Sequence, residues 1–336
     1  MNSDSPKISL VIPVYNSQAY LQKLFDSIYS QTFTDLEIIC FDDCSTDNSY
    51  KILKKYAQKD SRIKLFRNLI NHGLAVTRGR ALDKAKGEYI MFVDPDDWLV
   101  PDACELCYNR INNCKNDIVI FPNYIYDEAT DTYKEDFSLV KSFAPVANQS
   151  KIKLADVENL TLKMQVWNKI YSRNFLVKNK IKFLRVWSFD DQSFTTEVFL
   201  KAKDFSVINK PLYYYRIRSN SIIQKSQYSF LDMYKEKRAI LKILNKLNPD
   251  NNVKKAILLH YIVSLCYFFD KFKNDGIIAE MGWYCVARKS FLLLDADFVE
   301  KNVKRQLSLQ MAEFYDTARK YSYLVYLQDK NKRIMQ

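Results

Sequence analysis

The chain has 336 residues, of which 48% are hydrophobic, and it carries a formal net charge of +12. This length is sufficient for two lobes or for one domain with an extension, and the apolar content excludes an intrinsically disordered protein. No stretch reaches the roughly 18 consecutive apolar residues of a membrane span. The longest candidate, residues 256–269, carries His260 and is predicted to be a buried helix. The first residues lack a basic stretch followed by an apolar core, so no signal peptide is expected.

Seven cysteines are scattered over segments of strand-like or helical character. Their odd number and their settings predict a reduced, cytoplasmic protein. Cys104 and Cys107 have the spacing of half a metal site, but no second Cys/His pair follows at a suitable distance, so we expect helix packing. The positive charge suits an anionic membrane face, a phosphorylated lipid or nucleic acid. No nucleic-acid motif accompanies the charge, so nucleic acid is not the expected partner.

The first 122 residues alternate between short apolar runs, which predict strands, and periodic segments, which predict helices. The predicted strands cover residues 8–14, 36–41, 62–66, 88–93 and 117–121. The predicted helices cover residues 19–30, 48–58, 74–86 and 101–113. This β-α-β-α order predicts an α/β protein with a mostly parallel, doubly wound sheet.

The remainder of the chain changes character twice. Residues 123–165 are irregular and polar, which predicts loops or a short hairpin, and residues 166–220 predict short helices and strands, with a strand at 210–216. After Ser229 the pattern is helical, with breaks near residues 248–250, 274–276 and 295–297. A carboxy-terminal helical extension is therefore expected.

The fourth predicted strand ends in three carboxylates within four residues: Asp94, Asp96 and Asp97. Open α/β sheets bind their ligands at the carboxyl ends of strands. Asp94 and Asp96 can converge on one hard divalent cation, which prefers oxygen ligands and often bridges substrate phosphates. The motif therefore suggests chemistry in which a metal-held diphosphate leaves. The alternative is an acidic loop that is merely solvated or caps a helix.

The ends of the first two predicted strands could hold a nucleotide base. Neither a Gly-x-Gly-x-x-Gly motif nor a Walker loop is present. Tyr15 could stack on a base, and Asp43 could accept the imide N–H of uracil. Equally, residues 42–47 could form only a turn and a helix cap, which Asp, Ser and Thr favour.

Several ordered motifs span the first two thirds of the chain: ISLVIPVYN, SI…QT, FDDCSTDNS, NHG to Arg78, GEYIMFVDPDD and YYRIRSNS. Together, over roughly residues 7–222, they resemble a family 2 glycosyltransferase of the GT-A fold. The nearest resemblance is to bacterial enzymes that build lipooligosaccharide, O-antigen or capsule. It implies a GT-A domain over 1–222, with a nucleotide-sugar half 1–122 and an acceptor half 123–222, before a helical extension over 223–336.

The resemblance also implies residues for the donor. Pro13 and Tyr15 would line the nucleotide pocket, Asp43 would contact uracil, and Arg78 would face the nucleotide or its phosphates. The family's usual glycine after the paired aspartates is Cys44 here, which could reshape that turn.

A divalent metal is implied as well. Asp94 would lie near the ribose and the metal, and Asp96 would be the principal protein ligand of Mn²⁺ or Mg²⁺ on the diphosphate. The family's usual Ala-Arg-Asn-x-Gly is replaced by residues 77–81, Thr-Arg-Gly-Arg-Ala, which alters the surroundings of the arginine.

Enzymes of this kind invert the anomeric carbon by single displacement, which requires a general base. The two histidines, His72 and His260, are not expected in that role. The family's base lies in a Glu/Asp-Asp motif that opens a helix, and Asp190 and Asp191 stand in that place. We predict Asp191 as the base, supported by Asp190, whereas an acidic helix N-cap is the alternative. Burial and a neighbouring carboxylate would raise the pKa of the base toward working pH.

Two further groups are candidates for the site. Arg216 and Arg218 follow an aromatic strand and could neutralise the departing diphosphate, or they could form a solvated strand face. Trp98, Trp167 and Trp187 are candidates for stacking on a sugar ring, and a core position is the alternative for each.

The combined interpretation is a metal-dependent, inverting transferase. It would move a hexose or N-acetylhexosamine, with galactose slightly preferred, from a UDP-sugar to a hydroxyl of a growing bacterial surface glycan, which could be lipid-linked. The enzyme would act at the cytoplasmic side, with the helical extension either docking on an anionic membrane or serving dimerisation. The rival hypotheses are a catalytically silent GT-A scaffold, a nucleic-acid binder and a nucleotidyltransferase.

Overall fold

The structure is a computed structural model that divides into two compact units. It describes residues 5–138, 140–157, 160, 162–218 and 229–334. One unit comprises Met1–Asn159 and Met164–Ser219, and the other comprises Leu160–Lys163 and Asn220–Gln336. The last three residues of the YYRIRSNS motif lie outside the described residues.

The strands all belong to the first unit. They are β1 (Ile8–Val14), β2 (Leu36–Asp42), β3 (Ile63–Arg67), β4 (Tyr89–Phe92), β5 (Trp98–Leu99), β6 (Ile118–Ile120), β7 (Asn123–Asp127), β8 (Thr132–Asp136), β9 (Lys169–Ser172), β10 (Phe205–Val207) and β11 (Tyr213–Ile217).

The helices are divided between the units. Those of the first unit are α1 (Leu21–Tyr29), α2 (Ser49–Lys59), α3 (Leu74–Lys84), α4 (Ala103–Cys114), α5 (Arg173–Lys178) and α6 (Asp191–Lys201). Those of the second unit are α7 (Phe230–Leu247), α8 (Asn251–Phe272), α9 (Ile277–Leu292), α10 (Ala296–Asn302), α11 (Leu309–Lys320) and α12 (Tyr323–Ile334).

A seven-stranded sheet with the order β10-β6-β9-β4-β1-β2-β3 forms the centre of the first unit. β1 runs parallel to β2 and β4, β2 to β3, and β6 to β10. β9 is antiparallel to both of its neighbours, β4 and β6. The predicted α/β fold with a mostly parallel sheet is confirmed, and the reversed strand β9 is an addition to it.

A second sheet has the order β5-β11-β7-β8. β7 and β8 are antiparallel, so the short hairpin predicted between residues 123 and 165 is present. β11 pairs with β5 and with β7, which brings the aromatic strand predicted at 210–216 beside the residues that follow β4.

Apolar periodicity explains how these elements pack. Every residue of β1 and β2 is buried, because both strands lie inside the sheet with helices over its faces. α1 buries Leu21, Leu24, Phe25 and Ile28, which lie on one helical face. Each such side chain contributes about 1.5–3 kcal/mol when it is fully buried.

The second unit is helical, with breaks at the three predicted places. Asp250 accepts hydrogen bonds from the backbone N–H groups of Asn252 and Val253 and so caps α8, and Asp295 caps α10 in the same way. Trp283 is fully buried and stacks on Phe268, with ring centroids 5.3 Å apart. Among the described helices, none is both long enough and apolar enough to span a membrane.

The cysteines are free thiols. Cys104 and Cys107 are fully buried on α4, which confirms their predicted role in helix packing.

Candidate active site

A buried arginine joins three segments at the carboxyl edge of the large sheet. Arg78, on α3, is 2% exposed. Its Nη2 lies 2.8 Å from Oδ1 of Asp94, which follows β4, and its Nη1 contacts Oδ2 of Asp190, which precedes α6. The guanidinium thus bridges two carboxylates, and its contact with the nucleotide or its phosphates stays a prediction. This bridge brings the acidic motif after β4 and the Asp190–Asp191 pair together.

The pair at the start of α6 differs from an ordinary helix cap. Asp190 occupies the N-cap position, but its side chain makes no capping hydrogen bond and is committed to Arg78 instead. Asp191 is the first residue of the helix and is partly exposed. Burial, reinforced by the charge of Asp190 and opposed by Arg78, raises the pKa of Asp191 to about 7. A carboxylate with this pKa can accept a proton near neutral pH.

The acidic motif is held in place by β11. Oδ2 of Asp97 accepts a hydrogen bond from the Tyr213 hydroxyl at 2.7 Å, and its Oδ1 accepts one from the backbone N–H of Arg216 at 2.8 Å. The Tyr213 oxygen also accepts the backbone N–H of Asp94 at 3.0 Å. Burial raises the pKa of Asp97 well above its usual range. Neither Asp97 nor Tyr213 is among the residues predicted for the site from the sequence. The signal that could have indicated them is a third carboxylate in the acidic motif together with a tyrosine-rich strand.

Both arginines after the aromatic strand contact the acidic motif. Arg216 donates from Nε to the backbone oxygen of Asp96 at 2.8 Å and from Nη1 to Oε1 of Glu128 at 2.9 Å. Arg218 donates to Oδ2 of Asp96, from Nε at 2.8 Å and from Nη2 at 2.7 Å. These contacts do not support the alternative of a solvated strand face.

The donor chemistry of the acidic motif fits a hard divalent cation. Asp94 and Asp96 each use one carboxylate oxygen for an arginine and have a second oxygen to which no described group donates. Carboxylate oxygens are the ligands that Mg²⁺ and Mn²⁺ prefer. Three or more metal-ligating side chains are nowhere clustered in the part of the chain that is described. A metal here would therefore need further oxygens from its substrate.

The segments after β1 and β2 interlock beside this motif. Pro13 is buried inside the sheet, whereas Tyr15 is 46% exposed and so has a free ring face. Asn16 donates its backbone N–H to Oγ of Ser45 at 3.1 Å. Cys44, which stands in the place of the family's usual glycine, has φ 59°, the left-handed conformation that favours glycine.

Asp43 organises the loop before α3. It is 2% exposed and accepts hydrogen bonds from Asn68 Nδ2 at 2.7 Å and from the backbone N–H groups of His72 and Gly73 at 2.9 and 2.8 Å. One lone pair of Oδ2 is left without a described donor, and contact with uracil stays a prediction for this position.

The three candidate tryptophans have different settings. Trp98 is 9% exposed and stacks on Tyr214, and Trp167 is 7% exposed and stacks on Tyr213. Trp187, by contrast, is 56% exposed. A Cβ atom at Gly73 would lie 2.8 Å from the Trp187 ring, so this indole rests directly on the loop that Asp43 organises. Trp187 is the tryptophan that is available to a ligand.

A buried lysine close to Asp191 was not anticipated from the sequence. Lys169, in β9, is fully buried and donates to Oδ1 of Asn168 and to the backbone oxygen of Gln165. Burial lowers the pKa of Lys169 to about 7, and the negative charge of Asp191 opposes that shift. Through these two contacts the lysine supports the segment that enters β9.

The mostly parallel sheet, the second sheet and the carboxylates gathered at the strand ends define a nucleotide-sugar-dependent transferase fold of the GT-A kind. Comparisons with known proteins agree with this class. The family model "Glycosyl transferase family 2" matches residues 9–168. The solved structure of S. aureus TarS 1–349 in complex with UDP-GlcNAc has a TM-score of 0.72 at 23% identity, over 93% of this chain and 90% of that one.

Two sequence relatives cover most of the chain. EpsH of Bacillus subtilis, a glycosyltransferase by name, is 32% identical over 295 residues, which are 82% of this chain and 83% of EpsH. The cholesterol galactosyltransferase of Borreliella burgdorferi is 31% identical over 291 residues, which are 81% of this chain and 76% of that enzyme. The chain belongs to the family 2 glycosyltransferases.

Proposed function

We propose that this glycosyltransferase moves a hexose or N-acetylhexosamine from a UDP-sugar to a hydroxyl of a bacterial surface glycan, with inversion and with a divalent metal. The observation that carries the proposal is the Arg78 bridge between Asp94 and Asp190. Through it, a carboxylate suited to proton transfer, Asp191, lies beside carboxylates suited to a metal-bound diphosphate. Such perturbed carboxylates are typical of catalytic sites.

The donor would bind across the ends of β1, β2 and β4. The exposed ring of Tyr15 offers a stacking surface for uracil, and Asp43 offers its remaining acceptor position to the imide N–H. Asp94 and Asp96 would hold Mn²⁺ or Mg²⁺, which when bound neutralises charge on the diphosphate. The exposed indole of Trp187 is available to stack on a sugar ring.

Asp191 acts on the acceptor in this proposal. The acceptor hydroxyl gives its proton to the Asp191 carboxylate while its oxygen bonds to the anomeric carbon. The bond from that carbon to the β-phosphate oxygen breaks on the opposite face, and its electron pair leaves with UDP. Burial, together with the charge of Asp190, raises the pKa of Asp191 and so makes its carboxylate more basic.

The identity of the sugar is the least constrained part of the proposal. One relative is named a galactosyltransferase, and the TarS structure contains UDP-GlcNAc, so both hexose and N-acetylhexosamine donors occur among similar proteins. We keep galactose as the first donor to test.

Docking of the second unit on an anionic membrane, at the cytoplasmic side, is part of the proposal. Ile277 and Ile278 at the start of α9 are 67% and 60% exposed, next to Lys273. Exposed apolar side chains beside a cation suit an anionic interface. Replacing both isoleucines by serine should weaken cosedimentation with anionic vesicles, whereas Leu309→Ser on α11 serves as the control. Unchanged vesicle binding together with a lower molecular mass in solution would instead favour dimerisation.

The test of the reaction is nucleotide release from a panel of UDP-, GDP- and CMP-sugars, with Mn²⁺ and with chelator. Release of UDP from one sugar, only when metal is present, is the expected result. Asp96→Asn should abolish it, and Asp83→Asn, an exposed carboxylate on α3, should not. Release from a GDP- or CMP-sugar would contradict the UDP donor. No release from any donor, with glycan acceptors included, would favour the silent scaffold.

A further inference from the structure

Arg218 makes an ion pair with the carboxylate proposed to bind the metal. Its Nε and Nη2 lie 2.8 and 2.7 Å from one oxygen, Oδ2 of Asp96, and both side chains are 19% exposed. The guanidinium also lies over the ring of Tyr20, 4.9 Å from its centroid. The carboxylate is therefore partly neutralised by this arginine.

The neighbouring arginine is bound differently. Arg216 donates to a backbone oxygen, that of Asp96, and to Glu128, and it lies among the rings of Tyr20, Trp98 and Tyr126. Arg216 therefore contacts only the backbone of Asp96 and none of the carboxylate oxygens proposed to bind the metal. Arg216 thus stabilises the local structure, whereas Arg218 pairs with the carboxylate that is proposed to bind the metal.

A divalent cation that approaches Asp96 meets a guanidinium already on that side chain. Arg218 occupies Oδ2, which leaves Oδ1 of Asp96 for a metal, but two positive groups on one carboxylate repel each other, so metal binding alone weakens the Arg218 contact. A diphosphate offers the displaced guanidinium a better partner, because arginine binds phosphate oxygens in a bidentate manner. The metal also gains phosphate ligands from the same molecule.

We propose that Asp96 and the donor diphosphate exchange Arg218 between them. In the free enzyme Arg218 pairs with Asp96 and disfavours metal binding. When the nucleotide binds, Arg218 moves to the diphosphate and Asp96 accepts the metal. Metal and nucleotide therefore bind together, and the metal alone binds weakly. This inference rests on the proposed role of Asp96 and adds an order of binding to it.

The test measures Mn²⁺ binding to the full-length protein, without UDP and with saturating UDP. Arg218→Gln should bind Mn²⁺ in the absence of UDP about tenfold more tightly than the wild type, since a charge-assisted contact no longer competes. The same variant should bind UDP more weakly. Arg218→Lys keeps the positive charge but loses the bidentate guanidinium, so its Mn²⁺ affinity should lie between those of the wild type and Arg218→Gln. This variant also provides the test if Arg218→Gln folds poorly.

Arg62→Gln is the matched control. Arg62 pairs with Asp60 at 2.9 Å, away from the site, so its removal changes the net charge equally without altering Asp96. It should bind Mn²⁺ as the wild type does.

The outcomes separate the inference from the proposed function. The inference is overturned if UDP promotes Mn²⁺ binding that Asp96→Asn abolishes, but both Arg218 variants bind Mn²⁺ alone no better than the wild type. If no protein binds Mn²⁺ through Asp96 even with UDP, the proposed metal site fails and the inference with it.

Discussion

The edge of the large sheet and the interior of the second unit differ in the side chains that they bury. The sheet edge gathers charged groups, whereas the second unit packs mainly apolar ones. At the sheet edge, Asp94, Asp190 and Asp191 crowd around the single guanidinium of Arg78, and burial raises the pKa of Asp94 and Asp191. The second unit also buries charged side chains such as Glu236 and Lys237, but most of its interior consists of apolar side chains and stacked aromatic rings such as that of Phe269. Like charges gathered in one place oppose folding, whereas apolar packing favours it. This difference is expected if the sheet edge carries out the proposed reaction and the second unit contributes mainly to stability.

Removing Arg78 should lower both the stability of the protein and its turnover. Arg78→Ala leaves the buried carboxylate of Asp190 and the partly exposed carboxylate of Asp94 without their shared cation, which is expected to cost about 3–5 kcal/mol of unfolding free energy. Turnover should fall at least about a hundredfold, because the metal motif and the base lose their common anchor. Denaturant unfolding and nucleotide release measure the two effects. An Arg78→Ala variant with wild-type stability and turnover would show that the bridge is needed neither for the fold nor for the reaction.

An aromatic residue of the second unit should affect stability alone. Phe269 is 6% exposed and stacks on Phe314 at 4.2 Å. Phe269→Ala should lower the unfolding free energy by about 3–5 kcal/mol, as for other large-to-small core changes, while the folded protein keeps its turnover. Tyr267→Ala, at a half-exposed position on the same helix, should change stability by less than about 0.5 kcal/mol. Loss of turnover in a folded Phe269→Ala variant would contradict the view that the second unit contributes only to stability.

The raised pKa of Asp191 predicts how activity depends on pH. The carboxylate accepts a proton only when it is ionised, so kcat/KM, which reports the free enzyme, should be highest above pH 7 and fall about tenfold for each unit below it. The affinity for UDP, measured in parallel, should change much less over that range. A flat kcat/KM profile from about pH 5 to about pH 7 would exclude Asp191 as the group that titrates.

The smallest effect is expected at the turn after β2. Cys44 adopts a left-handed backbone that glycine adopts without strain, and its Sγ lies 3.4 Å from the backbone oxygen of Leu69. Cys44→Gly should therefore change stability by less than about 1 kcal/mol, with strain relief and lost chain stiffness opposing each other. Turnover should be unchanged. A larger loss of stability would show that the thiol contact holds the turn.

The sequence allowed the long, regular elements to be predicted. β1, β2 and β4 are apolar runs between clear turn signals, and helix breaks at Asp250 and Asp295 are marked by capping residues. β9 was not predicted as a strand of the large sheet, because its four residues begin with a lysine and end with a serine. The position of β9 in the sheet depends on its pairing with β4 and β6, and a local sequence pattern does not reveal such long-range pairing.

The side-chain contacts within the site were harder to predict from the sequence than the strands and helices. Arg78 and Asp190 are 112 residues apart, and nothing in their spacing shows that they pair. The resemblance implied that Arg78 faces the nucleotide and that Asp190 supports the base, but it did not indicate that the two side chains contact each other. Trp98 and Trp167 likewise could not be distinguished from Trp187 until their burial was known.

The most direct test of the account compares the wild type with Asp191→Asn, which keeps the shape of the side chain but cannot accept the proton. The account predicts that kcat falls about a hundredfold to ten-thousandfold, the usual contribution of a general base, while the affinity for UDP changes by less than about twofold. Wild-type turnover in the asparagine variant would contradict it, since another group would then deprotonate the acceptor.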